Sequence, residues 1–336
     1  MSIERLPVAV DAMGGDHGPE TVVAGARRAA EEFGTPVLLV GNPDKLGDVG
    51  DLEVAPAYEV VEMGADPARS VRKLKDSSIV RAAEAVRDGR ASSLLSAGNT
   101  GAAMAASLLR MGRIKGVARP AIAVPFPVLN STPSTLLDCG ANADCQPEWL
   151  VQFARLGTAY ARQRFGLPVP RVAVLTIGEE AGKGNALVKA ACELLEEPEW
   201  ADQCGANYIG NVEGGDLMAG VADVIVCDGF TGNIALKSLE GGFEIFTNAI
   251  REALKSTPEV QAAAAAIDDV TDPLFTVFNA GNTGAAMLLG TRGVSVIAHG
   301  SSTEITLANA IRSADELAAA DIVSSLRNSL PEPKDS

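Results

Sequence analysis

Short apolar runs alternate with amphipathic stretches along nearly the whole chain, and that alternation leaves few folds open. Runs at 8–11, 37–40, 59–62, 93–96, 121–126, 135–138, 172–176, 208–210, 224–227 and 294–298 read as strands. Several are unbroken Val, Ile and Leu, the composition of strands covered on both faces. Amphipathic periodicity predicts helices over 20–33, 78–88, 147–165, 186–197, 234–254 and 306–328. Asp76, Ser77 and Ser78 offer a cap to the second of these, and Pro147 suits a first helical turn. Strand then helix, repeated, predicts an α/β fold with a mostly parallel sheet. The chain of 336 residues suits one large α/β unit over 1–330, or two lobes closely joined around a central cleft. The end, 331–336, reads as a disordered tail.

The loops after these strands are polar and glycine-rich: DAMGGDHG, SAGNTGA, DCGANADCQPE, TIGEEAGKGN, GNVEGGD, DGFTGN and AHGSS. In a parallel sheet ligands bind at the carboxyl ends of the strands, so these loops are expected to converge on one cleft. One peptide, AGNTGAAM, occurs twice, at 97–104 and at 280–287. Each copy follows a short apolar run, 93–96 and 275–278, and the first leads into a helix-like stretch, 102–111. Strand, glycine loop and helix start together aim backbone N–H groups and the positive helix end at an anion. A phosphate or a developing oxyanion is therefore expected at Gly98, Asn99, Thr100 and Gly101. The second copy is expected to line the same cleft or to form a turn, since Gly290 interrupts any helix after it.

The formal net charge of −15 argues against nucleic-acid binding, which needs a basic footprint. Against that background two basic clusters stand out: Arg69, Arg72, Lys73 and Lys75, then Arg110, Arg113, Lys115 and Arg119. Either is a solvated face or a docking site for an acidic partner. Cys139, Cys145, Cys192, Cys204 and Cys227 form no CxxC pair and are odd in number, which favours buried thiols in a reducing compartment. No apolar run is long enough to span a membrane, and the start MSIERLPVAVDAMGG has no secretory pattern, so a soluble cytoplasmic protein is expected. The alanine-rich stretch 256–272 breaks the βα rhythm and reads as a surface helix.

Some residues could carry chemistry. Lys183, in GEEAGKGN, lies after a strand and before a helix, where it is a point charge for an anion or an exposed loop lysine. The spacing is not that of a nucleotide-hydrolysing P-loop, because Gly184 stands where a Mg²⁺-binding Ser or Thr belongs. Asn99, Asn185 and Asn233 recur as Gly-Asn pairs, suited to tight turns or to donating an amide to an oxyanion. Asp11, Asp16 and His17 cluster in DAMGGDH, where His17 could move a proton. The other histidine is His299. No spacing suggests a metal site, and no complete GxGxxG follows a strand, so neither a metal nor a nicotinamide cofactor is expected.

Taken in order, VAVDAMGGDHGP, RKLKDSS, SAGNTGAAM, GRIKGVARPA, LLDCGANADCQPEWLVQFA, GEEAGKGN, YIGNVEG, VCDGFTGNIALKSLEG and VIAHGSS resemble the bacterial phosphate acyltransferase family of phospholipid synthesis, from about Val8 to Ala320. The resemblance implies transfer of a fatty acyl group from acyl carrier protein to inorganic phosphate, yielding acyl phosphate, without a cofactor. A phosphotransacetylase-like enzyme using acyl-coenzyme A, or a carrier-protein-binding regulator without activity, are the competing readings; a dehydrogenase rests on fold analogy alone. The implied fold is a three-layer α/β/α arrangement resembling isocitrate and isopropylmalate dehydrogenases and phosphotransacetylases, usually a homodimer. The resemblance further implies phosphate binding by Gly98–Gly101 and Lys183, oxyanion stabilisation by Asn99 and Asn233, and placement of phosphate by His17 or Asp11. It implies carrier-protein docking on Arg69, Arg72, Lys73, Lys75, Arg113 and Lys115. It also implies a membrane-bound glycerol-3-phosphate acyltransferase as the next partner, hence peripheral association with the inner face of the plasma membrane. The chain departs from the family pattern at Gly215, where an Arg is usual, in the short segment after Leu254, and at the second AGNTGAAM.

Overall fold

The computed structural model describes residues 5–267 and 285–331. Among the described residues eleven strands form one sheet. They are β1 (Val8–Asp11), β2 (Val37–Gly41), β3 (Glu53–Pro56), β4 (Ser93–Ser96), β5 (Ala121–Phe126), β6 (Ser134–Leu137), β7 (Arg171–Leu175), β8 (Asn207–Val212), β9 (Val224–Val226), β10 (Ala286–Leu289) and β11 (Val294–Ile297). The helices are α1 (Gly18–Phe33), α2 (Pro67–Lys73), α3 (Ser78–Arg87), α4 (Thr100–Ala106), α5 (Pro147–Phe165), α6 (Ala186–Leu195), α7 (Pro198–Cys204), α8 (Gly229–Leu254), α9 (Pro258–Ala265), α10 (Glu304–Ala319) and α11 (Ile322–Asn328). Buried clusters line both faces of the sheet, as the continuous apolar strands require. None of the described helices is long and apolar enough to cross a membrane.

The strand order is β3-β2-β1-β4-β11-β10-β5-β6-β9-β7-β8. Strands β3, β2, β1, β4 and β11 are mutually parallel, and so are β6, β9, β7 and β8. Between them β10 runs antiparallel to both β11 and β5, and β5 runs antiparallel to β6. The two parallel halves therefore point in opposite directions. This corrects the expectation that every glycine-rich loop lies along one edge of the sheet. Loops after β1, β4 and β11 occupy one edge, and loops after β6, β7, β8 and β9 occupy the other.

Local chemistry explains the departures from the predicted elements. The run 59–62 is not a ladder strand. Glu59 makes an isolated bridge to Ser77, and Glu53–Pro56 pairs with β2 instead. Asp76 ties this segment down, accepting from the Tyr58 N–H at 3.2 Å while its own N–H donates to Glu59 at 2.8 Å. The single helix expected over 306–328 breaks at Asp321, whose φ of 50° leaves the helical region and whose carboxylate caps α11.

The two copies of AGNTGAAM take different structures where both are described. In the first, Asn99 Oδ1 accepts from the Ala102 N–H at 3.0 Å and starts α4. The helix-forming residues that follow prolong it as a π turn over Ser107–Met111. In the second, Ala286 and Met287 open β10, and a turn at Gly290 (φ 99°) leads into β11. Ala and Met suit either state, so the residues that follow decide. The first five residues of the second copy, and the apolar run 275–278 before it, lie outside the described residues.

Helices dock on the sheet at close crossings. A Cβ at Gly25 of α1 would lie 2.7 Å from Leu307 Cβ of α10, and one at Gly157 of α5 would lie 2.6 Å from Val224 of β9. Around α5, Phe153 and Tyr160 are fully or almost fully buried. Truncating Phe153 to Ala would cost about 3–5 kcal/mol.

Candidate active site

A cavity of about 310 Å³ lies where the two halves of the sheet meet. Its floor is the face of the central strands, Ile122 and Val124 of β5 and Ala286 of β10. One rim comes from the loops after β4 and β11, with Gly98, Thr100, His299 and Gly300. The opposite rim comes from Cys139, after β6, and from Asn233, Leu236, Lys237 and Glu240 on α8. The spacing of those α8 residues puts them on one helix face. Loops from opposite edges meet because the cavity sits over the strands at which the sheet changes direction.

The β4 loop is held from beneath. The Ser96 hydroxyl donates to Asp11 Oδ2 at 2.7 Å and accepts from the Gly98 N–H at 3.1 Å. Asp11 is buried, and loss of hydration raises its pKa against the opposing pull of its hydrogen bonds with Ser78, Ser96 and Met13. A Cβ at Gly14 would lie 2.7 Å from Gly98 N, so only glycine lets the β1 loop pass so close to the β4 loop. Asp11 thus supports the loop from behind and does not line the cavity.

Asn99 is fully engaged within the fold. Besides capping α4, its Nδ2 donates to the carbonyls of Met63 at 2.7 Å and Ala65 at 3.3 Å. Asn185 likewise caps α6, accepting from the Val188 N–H at 2.9 Å. Asn233 differs from both, because it lines the cavity. Its Nδ2 donates to the Cys139 carbonyl at 3.3 Å. That position depends on the start of α8 pressing against the loop after β6. A Cβ at Gly232 would lie 2.0 Å from the Asp138 carbonyl oxygen, and one at Gly229 would lie 2.6 Å from that of Asn142. The loop itself is braced by the buried Asp138 carboxylate, which accepts from the N–H groups of Ile122, Gly140, Ala141 and Asn142. Cys139 presents a neutral wall, since burial pushes its thiol well above the usual range.

The remaining predicted residues fall elsewhere. His17 is the exposed N-cap of α1 and makes no capping bond through its side chain. Its neighbour Asp16 does line the cavity, and the Asp16 N–H donates to the Gly300 carbonyl at 2.8 Å. Lys183 is exposed in the loop after β7, 4.0 Å from Glu180, and does not line the cavity. Gly101 packs against Pro67, the first residue of α2. Arg69, Arg72, Lys73 and Lys75 are exposed on and just after that helix, with no ion pair among the described residues. Met63 and Thr100, close to the start of α2, line the cavity, whereas none of these four cations does. In the second cluster, Arg110 donates to the Val71 carbonyl, Arg113 to that of Ala118, and Arg119 stacks on Trp149. Lys115 is exposed.

Sequence reasoning did not single out Lys237 and Glu240, although both lie in VCDGFTGNIALKSLEG. Lys237 Nζ stands 2.6 Å from Glu240 Oε2 and 3.3 Å from His299 Nε2. His299 Nδ1 stands 2.7 Å from Ser301 Oγ. The spacing of four and then three residues after Asn233, read on a helix, is the signal that could have found them. The combination of carboxylate, ammonium and imidazole beside an apolar floor suits a polar reaction on a substrate with an apolar arm.

A model described as fatty acid synthesis protein matches residues 6–325. The chain belongs to that family. Relatives of the same length bear a more specific name. A "Phosphate acyltransferase" of Desulfitobacterium hafniense is 44% identical over 334 residues, covering 97% of this chain and 98% of the relative. One of Elusimicrobium minutum is 41% identical over 346 residues, covering 98% and 97%. Among solved structures, the EutD phosphotransacetylase from Staphylococcus aureus has a TM-score of 0.58 at 16% identity and covers 94% of each chain. A 4-hydroxythreonine-4-phosphate dehydrogenase from Klebsiella pneumoniae has a TM-score of 0.52 at 14% identity, covering 94% of this chain and 98% of its own. At such identities these likenesses establish the fold, an α/β architecture with a mostly parallel sheet, as the sequence predicted.

Proposed function

We propose that this protein transfers a fatty acyl group from acyl carrier protein to inorganic phosphate, giving an acyl phosphate for phospholipid synthesis. The observation that carries the reading is the cavity, in which an apolar floor of Ile122, Val124 and Ala286 adjoins a polar end where the Lys237 ammonium stands between Glu240 and His299. A thioester needs the first surface for its acyl arm, and phosphate needs the second. The name borne by full-length relatives at 41–44% identity supports the same chemistry.

In this reading the phosphate oxygen attacks the thioester carbonyl, and the tetrahedral intermediate collapses with loss of the pantetheine thiolate. Holding the two reactants together supplies on the order of 7–11 kcal/mol. Asn233 is the amide donor that faces the developing oxyanion; such a donor contributes roughly 3–4 kcal/mol. Asn99 and Asp11 act as positioning residues, keeping the Gly98 loop against the cavity. The exposed cations of α2 dock the acidic carrier protein.

The experiment supplies acyl carrier protein loaded with a fatty acyl chain, with and without phosphate, and traps the product with hydroxylamine as the acyl hydroxamate. Phosphate-dependent consumption of the acyl carrier thioester is the expected result. Consumption of acyl-coenzyme A alone would favour the phosphotransacetylase-like alternative, and no phosphate-dependent turnover of either donor would overturn the reading.

A further inference from the structure

The 310 Å³ cavity opens beside a groove of about 500 Å³ along α8, and Lys237, Glu240, His299, Ser302 and Thr306 belong to both. Ser302 is 4% exposed, yet its Oγ has no hydrogen-bond partner among the described residues. Burying a hydroxyl unpaired is unfavourable, so an orphan at a cavity wall calls for a ligand acceptor. Ser302 directly precedes the 16-residue helix α10, whose N-cap is Thr303. The first turn of such a helix presents N–H groups without intrahelical partners, and the helix dipole is positive there. The Lys237 ammonium stands across this junction, between Glu240 and His299.

We infer that this junction is the phosphate subsite: Lys237 and the α10 N-terminus neutralise the anion, Ser302 Oγ donates to one of its oxygens, and His299 carries its proton. Donors approach both ring nitrogens, the Lys237 ammonium at Nε2 (3.3 Å) and the Ser301 N–H at Nδ1 (3.2 Å); the proposed step uses the tautomer with the lone pair on Nε2 and the Nδ1 hydrogen facing Ser301 Oγ at 2.7 Å. The other charged groups around His299 are the Glu240 carboxylate, already bound by Lys237, the Asp16 carboxylate packed against the adjacent Gly300, and Glu244 and Arg251 along the groove.

The step balances without any further reactant. Bound hydrogen phosphate draws the Lys237 ammonium off Nε2; one phosphate oxygen then forms the bond to the thioester carbon while the P–OH proton passes to the freed Nε2 lone pair. The C–S bond then breaks, its electron pair goes to sulfur, and the imidazolium returns the proton to the thiolate. The products are acyl phosphate and free thiol, and the histidine ends as it began. His299 would contact phosphate directly and so serve as a catalytic residue.

The inference rests on the acyl-transfer reading, and its test is arranged so that the two fail separately. The chain holds two histidines, His17 and His299. Full-length protein labelled with ¹³C at the imidazole Cε1 therefore gives two signals, which the His17→Gln variant assigns. Titration with inorganic phosphate alone is expected to shift the His299 signal saturably and leave that of His17 in place. Lys237→Met is expected to weaken phosphate binding at least about 10-fold and Ser302→Ala several-fold, with Lys237→Arg restoring most of it. In the hydroxylamine-trapping assay His299→Gln is expected to lower kcat about 10²-fold while phosphate binding changes little. Phosphate that leaves the His299 signal unmoved in the wild-type protein overturns the subsite, whatever the variants do. Phosphate that shifts His299 in a protein making no acyl phosphate leaves the subsite standing and removes the acyl-transfer reading.

Discussion

Replacing Gly232 by Ala tests the packing that aims α8 into the cavity. The added Cβ would lie 2.0 Å from the Asp138 carbonyl oxygen and 2.9 Å from Cys227 Sγ. Cβ atoms essentially never approach below 3.0 Å, so helix or loop must yield by about 1 Å. The loop resists, because the Asp138 carboxylate holds four backbone N–H groups. Overpacking of this kind costs typically about 1–3 kcal/mol, and a backbone clash belongs at the upper end. Removing a helical glycine returns about 0.5–1 kcal/mol. The net loss is therefore about 2–2.5 kcal/mol. At roughly 2–4 °C per kcal/mol this lowers Tm by several degrees. Gly242, on the same helix, has nothing within 4 Å of its added Cβ, so Gly242→Ala gains only the propensity and raises Tm slightly. Thermal unfolding of the two variants beside wild type gives opposite signs. Activity should separate as well, since a 1 Å displacement of Asn233 and Lys237 costs on the order of 10²-fold in turnover. A Gly232→Ala protein as stable as the Gly242→Ala protein would refute the packing argument.

Other outcomes follow from charge. Arg72→Glu with Lys73→Glu should raise KM for the acyl carrier thioester, most steeply at low salt, and leave a small pantetheine thioester unaffected; equal effects on both donors would rule out docking on α2. Lys183→Ala should change the phosphate KM by no more than about twofold, because its ammonium is exposed beside Glu180; a large rise would place phosphate in the β7 loop instead. Asp223 is pushed up by burial but pulled down further by its bonds to Arg171, leaving its pKa below the ordinary 3.8. Its stabilisation is thus present above the unfolded value and lost as pH falls through the folded one. Urea midpoints measured downward from pH 5 should decline less in Asp223→Asn than in wild type, and parallel curves would exclude the pair.

Much of the fold was legible because buried parallel strands are written as continuous apolar runs: Val8–Asp11, Ser93–Ser96 and Val224–Val226 fall within the predicted strands. The reversal of the sheet was not legible. It depends on β10 inserting between β11 and β5, and β10 begins with Ala286 and Met287, residues that form a helix in the other copy of the same peptide. The site was legible in part. Gly98, Thr100 and Asn233 reach the cavity, as loop chemistry suggested. Asn99 and Asn185 obey the same Gly-Asn pattern but spend their side-chain oxygens on helix caps. Lys237 and Glu240 escaped notice because glycine loops draw attention to strand ends, whereas these side chains project from beyond the second turn of a helix.

The hydrogen-bonded ladder from β3 to β8 has a consequence for how the molecule melts. Among the described residues one continuous ladder joins the halves, and β10 and β5 are laddered on both sides. Neither half can lose its structure without stripping partners from a strand that the other half needs. Melting should therefore proceed as one cooperative transition, and a substitution at the outer edge of one half should loosen the opposite rim of the cavity along with its own.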